Sequence, residues 1–245
     1  MKLLIDAGNS RIKWALVNGG DWLQSGVVPV EHSDRLAQQI AGVRDIQQIW
    51  VSNVAGEGVS RQILSIGAGI SLQPHFVVAR GEQCGVRNGY TNASQLGSDR
   101  WAALIAAWHL VHGKCLVVNG GTATTIDTMS AQGEFIGGLI LPGVEMMQRS
   151  LVAATDQLKS AQGAYAPFPL NSADALYSGA IQASCGAIER QYTLLDDDSA
   201  PLVLSGGAAG LLQPYLDQKR FSVPPLVVDN LVLQGLLLIA QEANC

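Results

Sequence analysis

The chain predicts an α/β protein made of two related halves, each a mixed β-sheet flanked by helices. Three observations carry this. The segment Leu3-Leu4-Ile5-Asp6-Ala7-Gly8-Asn9-Ser10-Arg11-Ile12-Lys13 recurs, altered, as Leu116-Val117-Val118-Asn119-Gly120-Gly121-Thr122-Ala123-Thr124-Thr125-Ile126-Asp127, at an offset of 113 residues. Asp6 then lies over Asn119, Gly8 over Gly121, Asn9 over Thr122, Ser10 over Ala123 and Ile12 over Thr125. Each copy reads as an apolar strand, a small Gly-rich turn and a second β-branched strand. After each copy the pattern moves from strands to alternating helices and strands. With 245 residues, 48% of them hydrophobic, the chain can bury a substantial core. The halves divide at 1–113 and 114–245.

The first half opens with strands over Lys2–Asp6, Arg11–Val17 and Trp22–Pro29. Ser33 is the expected N-cap of a helix running through Ala41, followed by a strand over Gln47–Ser52. Val59–Ile66 reads as a helix, His75–Ala79 as a strand, and Cys84 to Leu96 as a polar, Gly-rich loop. From Ser98 the period changes: Trp101, Leu104, Ile105 and Trp108 fall at i, i+3, i+4 and i+7, one apolar helical face. The second half repeats the order with strands over Cys115–Val118, Thr122–Met129 and Glu134–Leu141. Pro142 leads into a helix over Glu145–Ala154. A connector, Tyr165-Ala166-Pro167-Phe168-Pro169, precedes a long helix over Ser172–Leu195. Leu202–Leu204 as strand, Gly207–Tyr215 as helix and Asp229–Ala240 as helix complete the chain.

Composition narrows the function. Only 14% of residues are charged and the net charge is −5 with basic residues scattered. A nucleic-acid partner would ask for a clustered basic surface, so none is expected. Cys84, Cys115, Cys185 and Cys245 are far apart and match neither a zinc site nor a disulfide framework. His109 and His112 lack an accompanying carboxylate, and Asp196-Asp197-Asp198 reads as a solvated turn. The first apolar run stops at Asp6, and Leu231 to Ala240 is too short to span a bilayer. These features predict a soluble cytoplasmic protein with no membrane partner.

The chemistry concentrates in a few motifs. Asp6, at a strand end, can hold a hydrated Mg²⁺. The amides and hydroxyls of Gly8, Asn9 and Ser10 can cradle phosphate oxygens, with Lys13 adding positive charge. Gly121-Thr122 offers a second turn of this kind. Gly97-Ser98-Asp99-Arg100 opens the amphipathic helix; Arg can grip a carboxylate with a fork of donors while Asp accepts a hydroxyl proton. Gly137-Gly138 and Gly206-Gly207 let backbone or a flat ligand approach closely. No P-loop, kinase-type catalytic loop or nucleophile elbow occurs in the sequence.

Taken in order along nearly the whole chain, these motifs resemble the type III pantothenate kinases. The matching set comprises Asp6-Ala7-Gly8-Asn9-Ser10-x-x-Lys13, Tyr90 ahead of Gly97-Ser98-Asp99-Arg100, Gly121-Thr122-Ala123-Thr124-Thr125-x-Asp127, Gly137-Gly138-x-Ile140-x-Pro142-Gly143, Asn171-Ser172 with Gly179, Gly206-Gly207 and Leu231-x-Leu233-x-Gly235-Leu236. The resemblance implies a duplicated actin-like (ribonuclease H-like) fold and ATP-dependent phosphorylation of pantothenate, the first step of coenzyme A synthesis. It implies that Asp6, Ala7, Gly8, Asn9, Ser10, Arg11, Ile12, Lys13 and Thr122 serve ATP. It also implies that Tyr90, Gly97, Ser98, Asp99, Arg100 and Ser172 line a pantothenate site at the interface of a homodimer, with Asp99 as the base. Mg²⁺ would be held by Asp6 through water. Ser172 stands where the family usually has Thr. Asn119 stands where many members carry an Asp that binds a monovalent cation, K⁺ or NH₄⁺. Two other readings stay open: an actin-like nucleotide-binding regulatory accessory factor without turnover, and a kinase for another small acceptor.

Overall fold

The computed structural model describes residues 1–155, 158 and 162–243, and its chain forms two compact units. The first comprises Met1–Leu110 together with the C-terminal segment from Asn230; the second is Val111–Asp229.

In the first unit, strands β1 (Lys2–Ala7), β2 (Arg11–Asn18) and β3 (Asp21–Pro29) form an antiparallel meander. Helix α1 (Arg35–Gln39) leads to β4 (Gln48–Asn53), which pairs parallel to β1. Helix α2 (Glu57–Gly69) leads to β5 (His75–Phe76), parallel to β4. The sheet order is therefore β3-β2-β1-β4-β5. Alternation along the strands sends Leu3, Ile5, Ala7, Ile12, Trp14, Leu16, Ile49 and Val51 to one apolar face with Leu36, Val59 and Ile63. Asp6, Lys13 and Ser52, partners across β1, β2 and β4, share the opposite face. A short hairpin, β6 (Glu82–Gln83) with β7 (Val86–Asn88), precedes α3 (Ser98–Val111).

The second unit repeats that plan. Strands β8 (Cys115–Gly120), β9 (Ala123–Met129) and β10 (Glu134–Pro142) are an antiparallel meander. After α4 (Val144–Ala154) and α5 (Ser172–Leu195), β11 (Leu202–Ser205) returns parallel to β8. Helix α6 (Ala209–Leu212) and β12 (Leu226–Val227), parallel to β11, complete the series. The order β12-β11-β8-β9-β10 repeats β5-β4-β1-β2-β3 in arrangement and direction. Its core joins Leu116, Val118, Ile126, Leu202 and Leu204 to Ile181, Cys185 and Ile188 of α5.

Several expectations are corrected. The last helix, α7 (Leu231–Glu242), was expected in the second half but belongs to the first unit. It packs on β1, β2 and β4, and a Cβ on Gly235 would come within 1.8 Å of the Ala102 carbonyl oxygen of α3. Ser33 does not cap a helix. It closes a 3-10 turn at Val30–His32 in αR geometry, whereas an N-cap needs extended backbone, and α1 is only five residues long. The loop expected from Cys84 contains β7 and a 3-10 turn at Ala93–Gln95 capped by Asn92. Pro142 ends β10, and Gly143 is the N-cap position of α4.

The repeat itself slips at the turn. In the first copy Ala7 pairs with Ile12 and Asp6 with Lys13; in the second Gly120 pairs with Thr124 and Asn119 with Thr125. The second turn is one residue shorter, so the constant offset fails beyond it and Thr125, not Ile126, is the counterpart of Lys13. The charged pair of the first copy thereby becomes a neutral amide–hydroxyl pair in the second.

Candidate active site

The β1–β2 turn divides its residues by face. Ala7 and Ile12 are fully buried in the apolar core, so only their backbone can serve a ligand. The Gly8 N–H donates to the Arg11 carbonyl at 3.1 Å, which engages one of the amides expected to hold phosphate. Asn9, Ser10 and Arg11 are exposed at the tip, with the Ser10 carbonyl accepting from Val30 N–H at 3.1 Å. Asp6 and Lys13 stand side by side on the opposite face. Burial pushes the Asp6 carboxyl up to about 7, the Asp99 carboxylate adds to the rise and Lys13 partly offsets it.

Asp99, in the first turn of α3, is the carboxylate that adds to the rise of Asp6. Its Oδ1 lies 2.5 Å from where a Cβ on Gly97 would sit, so the carboxylate occupies the space a side chain there would need. Ser98 does not offer its hydroxyl outward: its Oγ lies 2.9 Å from Ser52 Oγ, both buried. Arg100 is only 5% exposed; its Nη1 donates to Tyr90 Oη at 3.0 Å, with its guanidinium carbon 5.8 Å from the Tyr90 ring centre. A buried cation in a helix's first turn opposes the helix dipole and needs hydrogen-bonded partners. Helix stability alone does not explain it. The Tyr90 loop is fixed by Asn88, whose Oδ1 accepts from Tyr90 N–H and whose Nδ2 donates to Ala93 carbonyl. Asn88 and Ser52 were not singled out from the sequence; the available signal was a polar residue at the end of a strand.

The remaining predicted residues lie in the second unit. The Gly121-Thr122 turn is held by Gly121 N–H to Ala123 carbonyl at 2.9 Å and by Gly143 N–H to Thr122 carbonyl at 2.8 Å. Gly206, at φ +92°, lies tight against the end of β8: a Cβ there would lie 2.2 Å from the Gly120 carbonyl oxygen and 2.5 Å from Asn119 Oδ1. Among the described residues, the buried hydroxyls of Thr124 and Thr125 find no hydrogen-bond partner. Ser172 is exposed at the start of α5, which Asn171 caps by accepting from Asp174 N–H at 2.9 Å. It lines a groove of about 500 Å³ with Met147, Leu151, Leu176 and Gly179.

Other expectations resolve simply. Cys84, Cys115 and Cys185 are free thiols, each pushed up to about 12, chiefly by burial; Cys245 lies outside the described residues. Asp197 of the acidic triplet accepts from Ser199, which lowers its carboxyl. Among the described residues no cluster of three His, Cys, Asp or Glu could hold a metal, and no helix is long and apolar enough to cross a membrane.

Known proteins match this arrangement. A family model for type III pantothenate kinase matches residues 2–194. The type III pantothenate kinase of Nitrosospira multiformis is 46% identical, covering 99% of this chain and 92% of its own. That of Aromatoleum aromaticum is 44% identical, covering 99% and 98%. Among solved structures, a Campylobacter jejuni protein assigned to the Baf family of transcriptional activators has a TM-score of 0.62 at 24% identity, covering 99% of this chain and 100% of that one. The activator of 2-hydroxyisocaproyl-CoA dehydratase from Clostridium difficile, solved with ADPNP bound, has a TM-score of 0.52 at 11% identity, covering 98% and 92%. These structures share the duplicated actin-like fold. The chain belongs to the type III pantothenate kinase family, whose reaction is phosphorylation of pantothenate in coenzyme A biosynthesis.

Proposed function

We propose that Asp99 is the general base of this pantothenate kinase and that Arg100 and Tyr90 grip the acceptor. The observation that carries the reading is the first turn of α3. Asp99 there is close enough to Asp6 to raise its carboxyl, and the next residue is a buried guanidinium bonded to Tyr90. Arg100 holds the pantothenate carboxylate with paired donors and so orients the primary hydroxyl toward the γ-phosphorus of ATP. The hydroxyl oxygen forms the new P–O bond, the bond to ADP breaks, and Asp99 takes the proton. Phosphoryl transfer through a loose transition state asks mainly for positioning and charge neutralisation, and the proton leaves late. No strong base is needed.

Residues 6–13 and Thr122 serve the ATP phosphates in this reading, and the ADPNP bound by the Clostridium difficile activator supports a nucleotide site on this fold. Asp6 fits Mg²⁺: a carboxyl destabilised as an anion by burial and by Asp99 gains from a divalent cation beside it. When bound, Mg²⁺ supplies charge neutralisation on the phosphates. At Asn119 and Thr125 the side chains offer neutral oxygens only, which fits a weakly held monovalent cation, K⁺ or NH₄⁺.

A homodimer, with Ser172 beside the acceptor at the interface, is supported by the apolar groove at α4 and α5. Beside it in the chain, Phe168 is 89% and Leu170 98% exposed, far from the usual state of large apolar residues. The free thiols suit a reducing cytoplasm, and the net charge of −5 suits no nucleic-acid partner.

The test is formation of 4′-phosphopantothenate from ATP and pantothenate by wild type, Asp99→Asn and Arg100→Ala. Asp99→Asn should lower kcat by roughly 10²–10⁴ with folding intact, whereas Arg100→Ala should chiefly raise the pantothenate KM. Near-normal kcat in the Asn variant would remove Asp99 from the chemistry.

A further inference from the structure

Beside Asp6 in the sheet and Asp99 in the chain lies a buried contact that the reaction as described does not use. Ser52 is the β4 residue paired with Asp6 in the parallel β1–β4 register, so its side chain stands on the same sheet face as the Asp6 carboxylate. Its hydroxyl meets that of Ser98, the first residue of α3, at 2.9 Å, with Ser52 fully buried and Ser98 nearly so. Asp99 is the next residue. Strand and helix start are thus joined by a hydroxyl pair, one member paired in register with Asp6 and the other preceding Asp99 in the chain. Both ends are otherwise anchored: Val54 N–H donates to Ala7 carbonyl, Asn53 Oδ1 accepts from Ala55 N–H, and Trp101 N–H donates to Gly97 carbonyl.

Stability does not account for this pair. A single hydrogen bond between two buried hydroxyls contributes little net free energy, and replacing both by apolar groups of similar shape is nearly neutral. What the pair adds is direction: a hydrogen bond constrains distance and angle, which an apolar contact does not. We propose that Ser52 is a positioning residue for phosphoryl transfer, fixing through Ser98 where the Asp99 carboxylate stands relative to Asp6 and hence to the γ-phosphate. The proposal rests on Asp99 being the base.

The experiment compares wild type, Ser52→Ala, Ser98→Ala, the double variant and Asp99→Asn in steady-state pantothenate phosphorylation and thermal unfolding. Each single Ser variant leaves one buried hydroxyl unpaired and should lose thermal stability; the double variant should recover it. Turnover should behave differently. Misplacement of a reacting group by an ångström lowers rates by up to about 10²-fold, so kcat should fall about ten- to a hundredfold in both singles and by the same factor in the double. KM for pantothenate and ATP should change by less than about threefold.

A double variant with both stability and kcat restored would make the pair simple packing and overturn the proposal. So would a KM rise confined to Ser98→Ala, which would put that hydroxyl on the substrate. If the double variant does not fold, Ser52→Cys, which keeps the size with a weaker and longer contact, must still lower kcat without changing KM; wild-type kcat there overturns the proposal. Retained kcat in Asp99→Asn would instead sink the base assignment, whereas a loss there beside unchanged kcat in Ser52→Ala sinks the positioning role alone.

Discussion

Asp6 lies directly opposite Lys13 across β1 and β2, and Lys13 is the group that offsets the rise imposed on the Asp6 carboxyl by burial and by Asp99. The Asp6 carboxyl therefore gains from added positive charge, and the consequence can be read in stability. With a native value of about 7 against 3.8 for the ordinary group, the native state holds a proton that the unfolded chain has lost. Its contribution to stability falls as pH rises from about 4 through 7 and is flat above that. Chelator-treated Asp6→Asn should match wild type near pH 4 and exceed it at pH 8 in urea unfolding. A stability difference that stays constant with pH would contradict the perturbed carboxyl.

Gly97→Ala tests the space given to the Asp99 carboxylate. An added methyl would sit 2.5 Å from Asp99 Oδ1, a side-chain atom that can swing away. The fold should survive and kcat should drop about tenfold or more, because the base is displaced. Wild-type kcat in this variant would show that Asp99 has no fixed working position.

The apolar surface on the second unit predicts association. Light scattering at micromolar concentration should give twice the chain mass of 25.8 kDa. Leu170→Glu should shift the protein toward monomer and raise the pantothenate KM, since a charge in an apolar contact carries a desolvation cost. A wild-type particle of one chain would remove Ser172 from any shared acceptor site.

Asn119 predicts the response to monovalent cations. A full carboxylate charge there would strengthen a wet cation site, whereas an amide oxygen adds only a dipole. K⁺ or NH₄⁺ should therefore stimulate weakly, and Asn119→Asp should bring strong K⁺ dependence when K⁺ is compared with a bulky organic cation. An absolute K⁺ requirement in wild type would overturn this.

The sequence by itself determined the duplication, the order of strands and helices, and the motifs that place the chain in its family, because these rest on local patterns. Apolar alternation marks strands and 3.6-residue spacing marks α3. Tertiary packing decided the rest. The chain's last helix joins the first unit because its apolar surface and Gly235 fit β1, β4 and α3, a pairing more than a hundred residues away in sequence. The one-residue difference between the two turns, and with it the pairing of Asn119 with Thr125, follows from strand register, which an ungapped repeat cannot show. The Ser52–Ser98 bond, the burial of Arg100 against Tyr90 and the close fit of Gly206 against the end of β8 are likewise long-range contacts. Residue types fix what chemistry is available; only the packing of distant segments fixes which groups face one another and at what distance.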